Sequence, residues 1–486
     1  FMVAKKVRVL SRSYKPGSEG YEWISDGTGS YEIGPAEGLE RGTKIILELK
    51  ENAYEFTEPE NIKRLIRQYS SFVPFPISVN NEAVNTVQAI WKRNKNEVSD
   101  EEYTEFYKYI ANAYDAPFYR LHFSTDVPLS INALLFVPKQ NFEQFGFGRV
   151  KPGVNLYCKK ILIQQHSENI LPEWLRFIKG VVDSEDIPLN ISRETMQDST
   201  LIKKLNKVIT RRFLKFLTEK AGTDPESYNE FWNIFGNYLK EGMASDFTYK
   251  EQLAKLLRFE SSKSDPGKLI SLNDYIGRMK EEQKDIYFIN GPTRQAIETG
   301  PYIEAFRALE YEVVYTHEPI DDFILSNLTE FEGKKLISAD QAQLELPPID
   351  NTLEIKPLDD ETMNSLINWF KETLGDKVSE IKRSERLTES PAIMLNLDGM
   401  LTSSMQRAMQ SVNKDLVNSG KKILEINPRH KLIQCLASLQ KERPDLAKLI
   451  AEQIYDNALI SSGLFVEPRI MVKRIYQLLE HVTSEN

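Results

Sequence analysis

Residues 180–197 constrain the fold most, because they fix where a helix can begin in the middle of the chain. Pro188 disfavours helix immediately before it. Asn190 and Ser192 can each cap a helix N-terminus, and Glu194 puts an acid in the first turn. We therefore predict a helix that opens within this stretch, whose sequence is GVVDSEDIPLNISRETMQ.

Arg193 then lies beside the unpaired backbone amides of that helix start, with Gln197 further along the same helix. A planar, permanently charged guanidinium at the positive end of a helix dipole can bind phosphate oxygens and stabilise charge in phosphoryl transfer. An arginine at a helix start also commonly makes a surface ion pair. Residue chemistry alone leaves both roles open.

Patterning along the chain predicts a mixed α/β and α+β protein of several domains. Residues 5–13 and 42–50 alternate or run apolar as strands do, with a turn-prone Asp-Gly-Thr-Gly at 26–29 between them. Residues 201–217 are predicted to form a basic amphipathic helix, and 284–319 have the strand-helix-strand pattern of a parallel crossover. Gly291 there lacks the other residues of a phosphate loop and is predicted to lie in a turn.

The region after a proline-rich and acidic stretch at 346–361 is predicted to be rich in helices. Two amphipathic stripes near its end could pack on their own domain or form a dimer seam. The residues of these stripes are Leu446, Leu449, Ile450, Ile454 and Ala458, and then Met471, Ile475, Leu478, Leu479 and Val482.

Methionines cluster around an apolar segment of the same region. Unbranched thioethers adapt to many surfaces, which suits binding of varied partners, and they also fill ordinary cores. Both interpretations remain open for Met394, Met400, Met405 and Met409.

Composition excludes several classes of protein. The 486 residues, 41% hydrophobic and 27% charged, suffice for about three domains. A net charge of −9 argues against nucleic acid as a partner. The chain has no stretch of about twenty apolar residues, which a membrane-spanning helix would need.

Cys158 and Cys435 are too few for a disulfide framework and are predicted to be buried small hydrophobes. The five histidines lack ligand spacing, so no metal site is predicted.

Several longer motifs resemble the ninety-kilodalton heat-shock protein (Hsp90) family of ATP-driven, dimeric molecular chaperones. Besides VVDSEDIPLNISRE, they are QAIWKRN and EEYTEFYKYI within 88–110, LLFVPKQNFEQF at 134–145, LKEGMASD at 239–246 and HEPIDDF at 317–323. YEWISDGTGSYEI, KLLRFESS and LEINPRH are similar to the mitochondrial branch. The resemblance implies a mitochondrial matrix protein, with a bacterial cytoplasmic one as the alternative.

The resemblance implies three domains: residues 1–57 as the end of a GHKL-type nucleotide-binding domain, 58–345 as the middle domain and 346–486 as the dimerisation domain. Its cofactors would be ATP and Mg²⁺, with the metal-holding and catalytic groups upstream of Phe1. The chain alone is therefore expected not to hydrolyse ATP. A passive holdase or scaffold is the alternative function.

The resemblance also assigns roles to individual residues. Arg193 would reach the γ-phosphate, with Gln197 and Asn190 beside it and Phe142 helping to position their loop. Phe1, Thr43 and Ile45 would contact the nucleotide. Trp91 resembles an exposed tryptophan that contacts partly folded client proteins, although a lone tryptophan is more often packed. Phe142 and, from their thioether chemistry, Met400, Met405 and Met409 are also predicted to bind clients, and the resemblance favours the two C-terminal stripes as a homodimer seam.

Overall fold

The computed structural model describes residues 1–85, 87–146, 148–187, 199–342, 344–349, 355–396, 402, 405, 422–464 and 468–484. The chain divides into two compact units, residues 1–210 and 211–486. Several sheets and a helical C-terminal region confirm the predicted mixed α/β, multidomain class. The domain boundaries at 57/58 and 345/346 remain predictions.

The first unit contains a four-stranded and a five-stranded sheet, with strand orders β3-β2-β1-β4 and β10-β9-β11-β8-β7. Both strands predicted in the first fifty residues are confirmed. The strands are β1 (Ala4–Arg12), β2 (Gly20–Ser25), β3 (Glu32–Pro35), β4 (Gly42–Leu49), β5 (Ser78–Val79), β6 (Glu82–Ala83), β7 (Tyr119–Thr125), β8 (Ile131–Val137), β9 (Gly153–Cys158), β10 (Ile161–Gln164) and β11 (Lys179–Ser184).

Helices α1 (Pro59–Tyr69) and α2 (Asp100–Ala111) also lie in the first unit. A capping box starts α2, in which Ser99 and Glu102 each accept a hydrogen bond from the other's backbone amide. The aromatic face of α2 packs on the five-stranded sheet, burying Tyr103, Phe106 and Tyr107 together with Trp91. This core lies directly beneath the end of β11.

The predicted amphipathic helix is α3 (Ser199–Thr223), which contains the division between the two units. Its apolar stripe is buried at Leu205, Ile209 and Phe213. The other helices of the second unit are α4 (Pro225–Ser245), α5 (Lys250–Ala254), α6 (Leu272–Arg278), α7 (Arg294–Glu298), α8 (Glu304–Leu309), α9 (Pro319–Leu328), α10 (Asp360–Leu374), α11 (Lys431–Glu442), α12 (Pro444–Ser461) and α13 (Pro468–Ser484).

The predicted parallel crossover is confirmed, since β13 pairs in parallel with β14 and α8 lies between them in sequence. The five-stranded sheet of the second unit has the order β12-β14-β13-β16-β15, and a three-stranded sheet has the order β17-β19-β18. The strands are β12 (Glu260–Ser261), β13 (Ile286–Asn290), β14 (Val313–Thr316), β15 (Glu330–Phe331), β16 (Lys334–Ser338), β17 (Glu380–Arg383), β18 (Ala392–Asn396) and β19 (Lys422–Ile426).

The two cysteines differ in their surroundings. Cys158 is buried at the end of β9, as predicted, and burial raises the pKa of its thiol. Cys435 is exposed, so the prediction that it is buried was wrong. The apolar face of α11 buries Ile433, Leu436 and Ala437 instead, and Cys435 falls outside that face. No helix within the described ranges has the length and apolarity to cross a membrane.

Candidate functional site

The carboxyl end of β11 carries the start of the most distinctive motif and is held by a buried carboxylate. β11 pairs in parallel with β9 and antiparallel to β8. Asp183 is 0% exposed. One of its oxygens, Oδ2, accepts hydrogen bonds from Trp91 Nε1 at 3.0 Å and from the backbone amide of Lys160 at 3.1 Å. A buried carboxylate requires such donors, so Asp183 ties the strand end to two neighbouring segments.

Three more contacts hold the residues that follow Asp183. Lys92 donates to Glu185 at 3.0 Å, and this hydrogen bond lowers the pKa of the Glu185 carboxyl. The amide of Ser130 donates to Asp186 at 2.7 Å, and the Cys158 thiol donates to the carbonyl of Ile187 at 3.3 Å. Residues 183–187 are therefore anchored by segments on both sides of β11.

Trp91 is fully buried, whereas the resemblance implied an exposed side chain. The expectation that Trp91 is exposed was wrong, because its ring packs among other aromatic rings. The ring centroids of Phe72, Tyr157 and Phe106 lie 4.6, 5.2 and 5.6 Å from that of Trp91. Removing an apolar ring surface of this size from water is strongly favourable. The one polar atom of the ring, Nε1, donates its hydrogen bond to Asp183.

The three residues predicted to act on the nucleotide phosphate, Arg193, Gln197 and Asn190, lie outside the described residues. So does the predicted helix start between Ser192 and Gln197. The described chain stops at Ile187 and resumes with α3. The structure therefore defines the anchored segment before Arg193 and the helix after it.

Phe142, predicted to help position the arginine loop, lies in a short 3-10 helix, Phe142–Phe145, and is 55% exposed. The next residue, Glu143, receives two parallel hydrogen bonds of 2.8 Å each from the guanidinium of Arg176. Arg176 is 5% exposed. This paired geometry fixes the short helix and leaves the Phe142 ring accessible.

The residues predicted to contact nucleotide lie on or near the first sheet. Thr43 and Ile45 point to the same side of β4, because they are two positions apart. The Thr43 hydroxyl lies 2.8 Å from that of Ser11, and Ile45 is 61% exposed. Phe1 packs its ring against Gly27 in the turn between β2 and β3. The β4 face therefore presents one hydroxyl and one aliphatic side chain that are exposed.

The described methionines of the predicted client-binding cluster occupy different environments. Met394 is 2% exposed in the core of the C-terminal region, which matches the core-filling alternative. Met405 is half-buried, and its amide donates to the Thr402 hydroxyl at 3.3 Å. Met400 and Met409 lie outside the described residues.

The C-terminal stripes partly converge on one groove between α11, α12 and α13. Its volume is about 300 Å³, and Leu446, Ile450, Ile454 and Leu478 line it. Met471, Ile475 and Leu449 are half-buried. Leu479 is 53% exposed and, with Val472 and Tyr476, gives α13 a second apolar face that is open to solvent.

An ion-pair cluster that sequence patterning missed holds α13 against α12. Arg474 contacts Asp456 at 2.5 Å and Glu452 at 3.2 Å, and it is 6% exposed. Asp183, Lys92 and Arg176 were also missed. No local pattern indicates these residues, because their partners are distant in sequence.

Comparisons with known proteins agree with the motifs. The family model described as Hsp90 protein matches residues 78–485. The chain is 57% identical over 481 residues to the chaperone protein HtpG of Desulfitobacterium hafniense, covering 99% of this chain and 78% of the relative. It is 53% identical over 491 residues to HtpG of Desulfotalea psychrophila, covering 100% and 79%. It is 40% identical over 493 residues to the mitochondrial heat shock protein 75 kDa of Bos taurus, covering 99% and 70%. Both the extent of the family match and these identities show that the chain belongs to the Hsp90 protein family.

Proposed function

We propose that this chain is part of an ATP-hydrolysing molecular chaperone that works as a homodimer and remodels partly folded client proteins. The family and the chaperone names of its relatives support this proposal. The observation that carries it is the anchored end of β11, from which the chain continues towards Arg193.

In this proposal Arg193 stabilises the charge that develops on the γ-phosphate, and Asn190 and Gln197 support it from the same segment. A guanidinium is suited to this role because it stays charged and offers several donors in one plane. Phe142 provides an apolar contact for the segment.

Thr43, Ile45 and Phe1 would contribute to the nucleotide site within a GHKL-type domain. The exposed hydroxyl and aliphatic side chains of β4 fit contact with a nucleotide. No group of three or more potential metal-ligating side chains occurs in the part of the chain that the structure describes. Mg²⁺ would neutralise phosphate charge, and Arg193 would supply positive charge from this chain.

Partly folded clients would bind the segment of Met400, Met405 and Met409 and, after local opening, Trp91. The burial of Trp91 means that client contact at this residue requires its release from the core. The apolar stripes of α12 and α13 would form the dimer seam. A passive holdase would use the same surfaces without ATP turnover, and it is the alternative that kinetics must exclude.

We place the protein in a bacterial cytoplasm rather than in the mitochondrial matrix that its motifs first suggested. Identity with two bacterial relatives is 57% and 53%, against 41% and 40% with two mitochondrial ones. Reading the gene upstream of Phe1 tests this, since a mitochondrial protein would carry an amphipathic, arginine-rich transit peptide there.

The decisive experiment is Arg193→Ala in the protein that includes the upstream nucleotide-binding region. We expect kcat for ATP hydrolysis to fall at least about 100-fold, with nucleotide affinity changed far less, because an arginine finger acts mainly on the transition state. Steady-state kinetics and nucleotide titration measure the two effects. A mutant with wild-type kcat would show that Arg193 is structural, and a wild-type protein without turnover would favour the holdase.

A further inference from the structure

The parallel part of the five-stranded sheet in the second unit has a strand order that leaves a crevice. β13 pairs in parallel with β14 on one side and with β16 on the other. The chain therefore leaves β13 for a neighbour on one side and returns later to the opposite side. Where the strand order reverses in this way, ligands commonly bind outside the carboxyl ends of the strands. This rule points to the carboxyl ends of β13 and β16.

A cavity lies at these two strand ends, entirely within the second unit. Residues 289–292 line it from the end of β13, and Ser338 and Asp340 line it from the end of β16. Its volume is about 250 Å³. Liquid water occupies about 30 Å³ per molecule, so the space equals about eight water molecules. It therefore suits a ligand of about eight non-hydrogen atoms, which is larger than a bare metal ion.

The wall of this cavity is acidic. Asp322 of α9 and Asp340 both line it, and they are 0% and 3% exposed. Residues 460–463 add the carboxyl end of α12, which carries the negative end of the helix dipole. Among the lining residues that the structure describes, none is lysine, arginine or histidine. A positively charged ligand is favoured, because opposite charges attract most strongly where water is excluded.

Hydrogen bonds hold both carboxylates in fixed positions at the wall. Asp340 accepts from the Ser338 hydroxyl at 2.6 Å and from the side-chain amide of Asn396 at 3.1 Å. Asp322 accepts from the hydroxyl of Thr402, which also lines the cavity. The two acidic groups come from different elements, so folding alone brings them to one space.

We propose that this cavity binds a small organic cation, a guanidinium or alkylammonium compound, with Asp322 and Asp340 as its anionic partners. A guanidinium offers several N–H donors in one plane and can donate two parallel hydrogen bonds to a carboxylate. Its aliphatic part would lie against Ile289 and Ile297, which also line the cavity. None of these residues is among those proposed to contact nucleotide, and the proposal does not depend on ATP hydrolysis.

The test titrates the full chain with butylguanidinium and with butylurea by isothermal titration calorimetry. The two compounds have the same number of non-hydrogen atoms and nearly the same shape, but only butylguanidinium is charged. We expect butylguanidinium to bind at least about tenfold more tightly, because hydrogen bonds between charged groups are the stronger ones. Equal affinities would refute recognition of charge, and no binding of butylguanidinium up to about 10 mM would refute the site.

Asp340→Asn removes one charge with almost no change in shape. We expect it to weaken butylguanidinium about tenfold and to change butylurea by less than about twofold. Glu281→Gln is the matched control, since Glu281 is exposed and is not among the described lining residues. It should change neither affinity by more than about twofold. Equal weakening by both variants would show a general effect of net charge and overturn the proposal.

Ala296→Leu tests the cavity without altering any charge. Ala296 lines the cavity from α7 and is exposed, so the fold should tolerate a larger side chain there. We expect the added volume to weaken butylguanidinium at least about tenfold. Circular dichroism melting confirms folding, and this variant keeps the test decisive if Asp340→Asn unfolds. Unchanged affinity in Ala296→Leu would place the bound cation elsewhere and refute the site.

The same chemistry could come from an arginine side chain of a client protein, so a peptide separates the two sources. Acetyl-Ala-Arg-Ala-amide carries the guanidinium on a backbone that exceeds the size of the cavity. We expect it to bind at least about fivefold more weakly than butylguanidinium. A peptide that binds as tightly would overturn the assignment of the cavity to a free small molecule.

Discussion

At the residue scale, buried charges in this protein are matched by partners far away in sequence. Glu143 and Arg176 are 33 residues apart, and their paired hydrogen bonds of 2.8 Å are shielded because Arg176 is 5% exposed. Glu143 also accepts from the amide of Val150 at 2.7 Å. Such a pair adds little compared with an apolar pair of equal size, but removing one member leaves an uncompensated charge.

We therefore expect Arg176→Met to lower the free energy of unfolding by about 3 kcal/mol, whereas Arg176→Met combined with Glu143→Leu recovers most of the loss. Urea denaturation followed by circular dichroism measures both. Arg149→Met is the matched control, since Arg149 pairs with Glu173 at 2.9 Å but both are more than half exposed, so the loss should stay below about 1 kcal/mol. Equal losses in the two single variants would contradict this prediction.

At the scale of elements, β19 is the central strand of its sheet and begins with a lysine in a poor environment for charge. Lys422 pairs opposite Asn396 of β18 and is only partly exposed. Burial lowers the pKa of its ammonium group to about 8. The neutral amine is favoured in the folded state, because desolvation penalises the charged form.

Stability should therefore rise with pH between about 8 and the ordinary lysine pKa of about 10.4, because the unfolded chain binds more protons there. We expect Lys422 to add about 1–2 kcal/mol to the free energy of unfolding between pH 7 and pH 10. This is less than the full pKa shift would give, because Lys422 is not fully buried. The difference between wild type and Lys422→Met isolates the effect from buried tyrosines, which act in the opposite direction above pH 10. The prediction would be refuted if the free energies of unfolding of wild type and Lys422→Met changed in parallel across this pH range.

At the scale of the whole molecule, two compact units each bury their own apolar clusters, and the apolar surface left open on α13 points to self-association. Tyr476 and Leu479 are more than half exposed on this helix. A row of exposed apolar residues on a terminal helix is typical of an interface between copies.

We predict that Leu479→Glu produces monomers, because a carboxylate placed in a dimer seam would lose its water. Leu479 is already 53% exposed within the chain, so the fold itself should tolerate the change. Lys473→Glu, on the exposed polar side of the same helix, should leave the dimer intact. Sedimentation velocity at micromolar concentration decides, and a Leu479→Glu protein that still sediments as a dimer would exclude this surface. Deleting everything after Glu467 should likewise give monomers.

Sequence patterning predicted the elements well wherever periodicity is a local property. β1, β4, α3 and the crossover from β13 to β14 followed from alternation or helical spacing, because the backbone repeat places every second or every third to fourth side chain on one face. The motifs likewise predicted the Hsp90 family, which the comparisons confirm. The roles of Arg193, Gln197 and Asn190 remain predictions.

Only the tertiary structure decided which single residues are buried and what they contact. Cys435 lies in a helix whose apolar face is correctly predicted, yet its own position is exposed. Trp91 lies 92 residues from Asp183, its hydrogen-bond partner, and its burial depends on α2 and the five-stranded sheet closing around it. Local spacing determines which side chains lie on the same face of a helix or strand. The free energy that buries it comes from neighbours brought together by folding, and no local pattern records which ones they are.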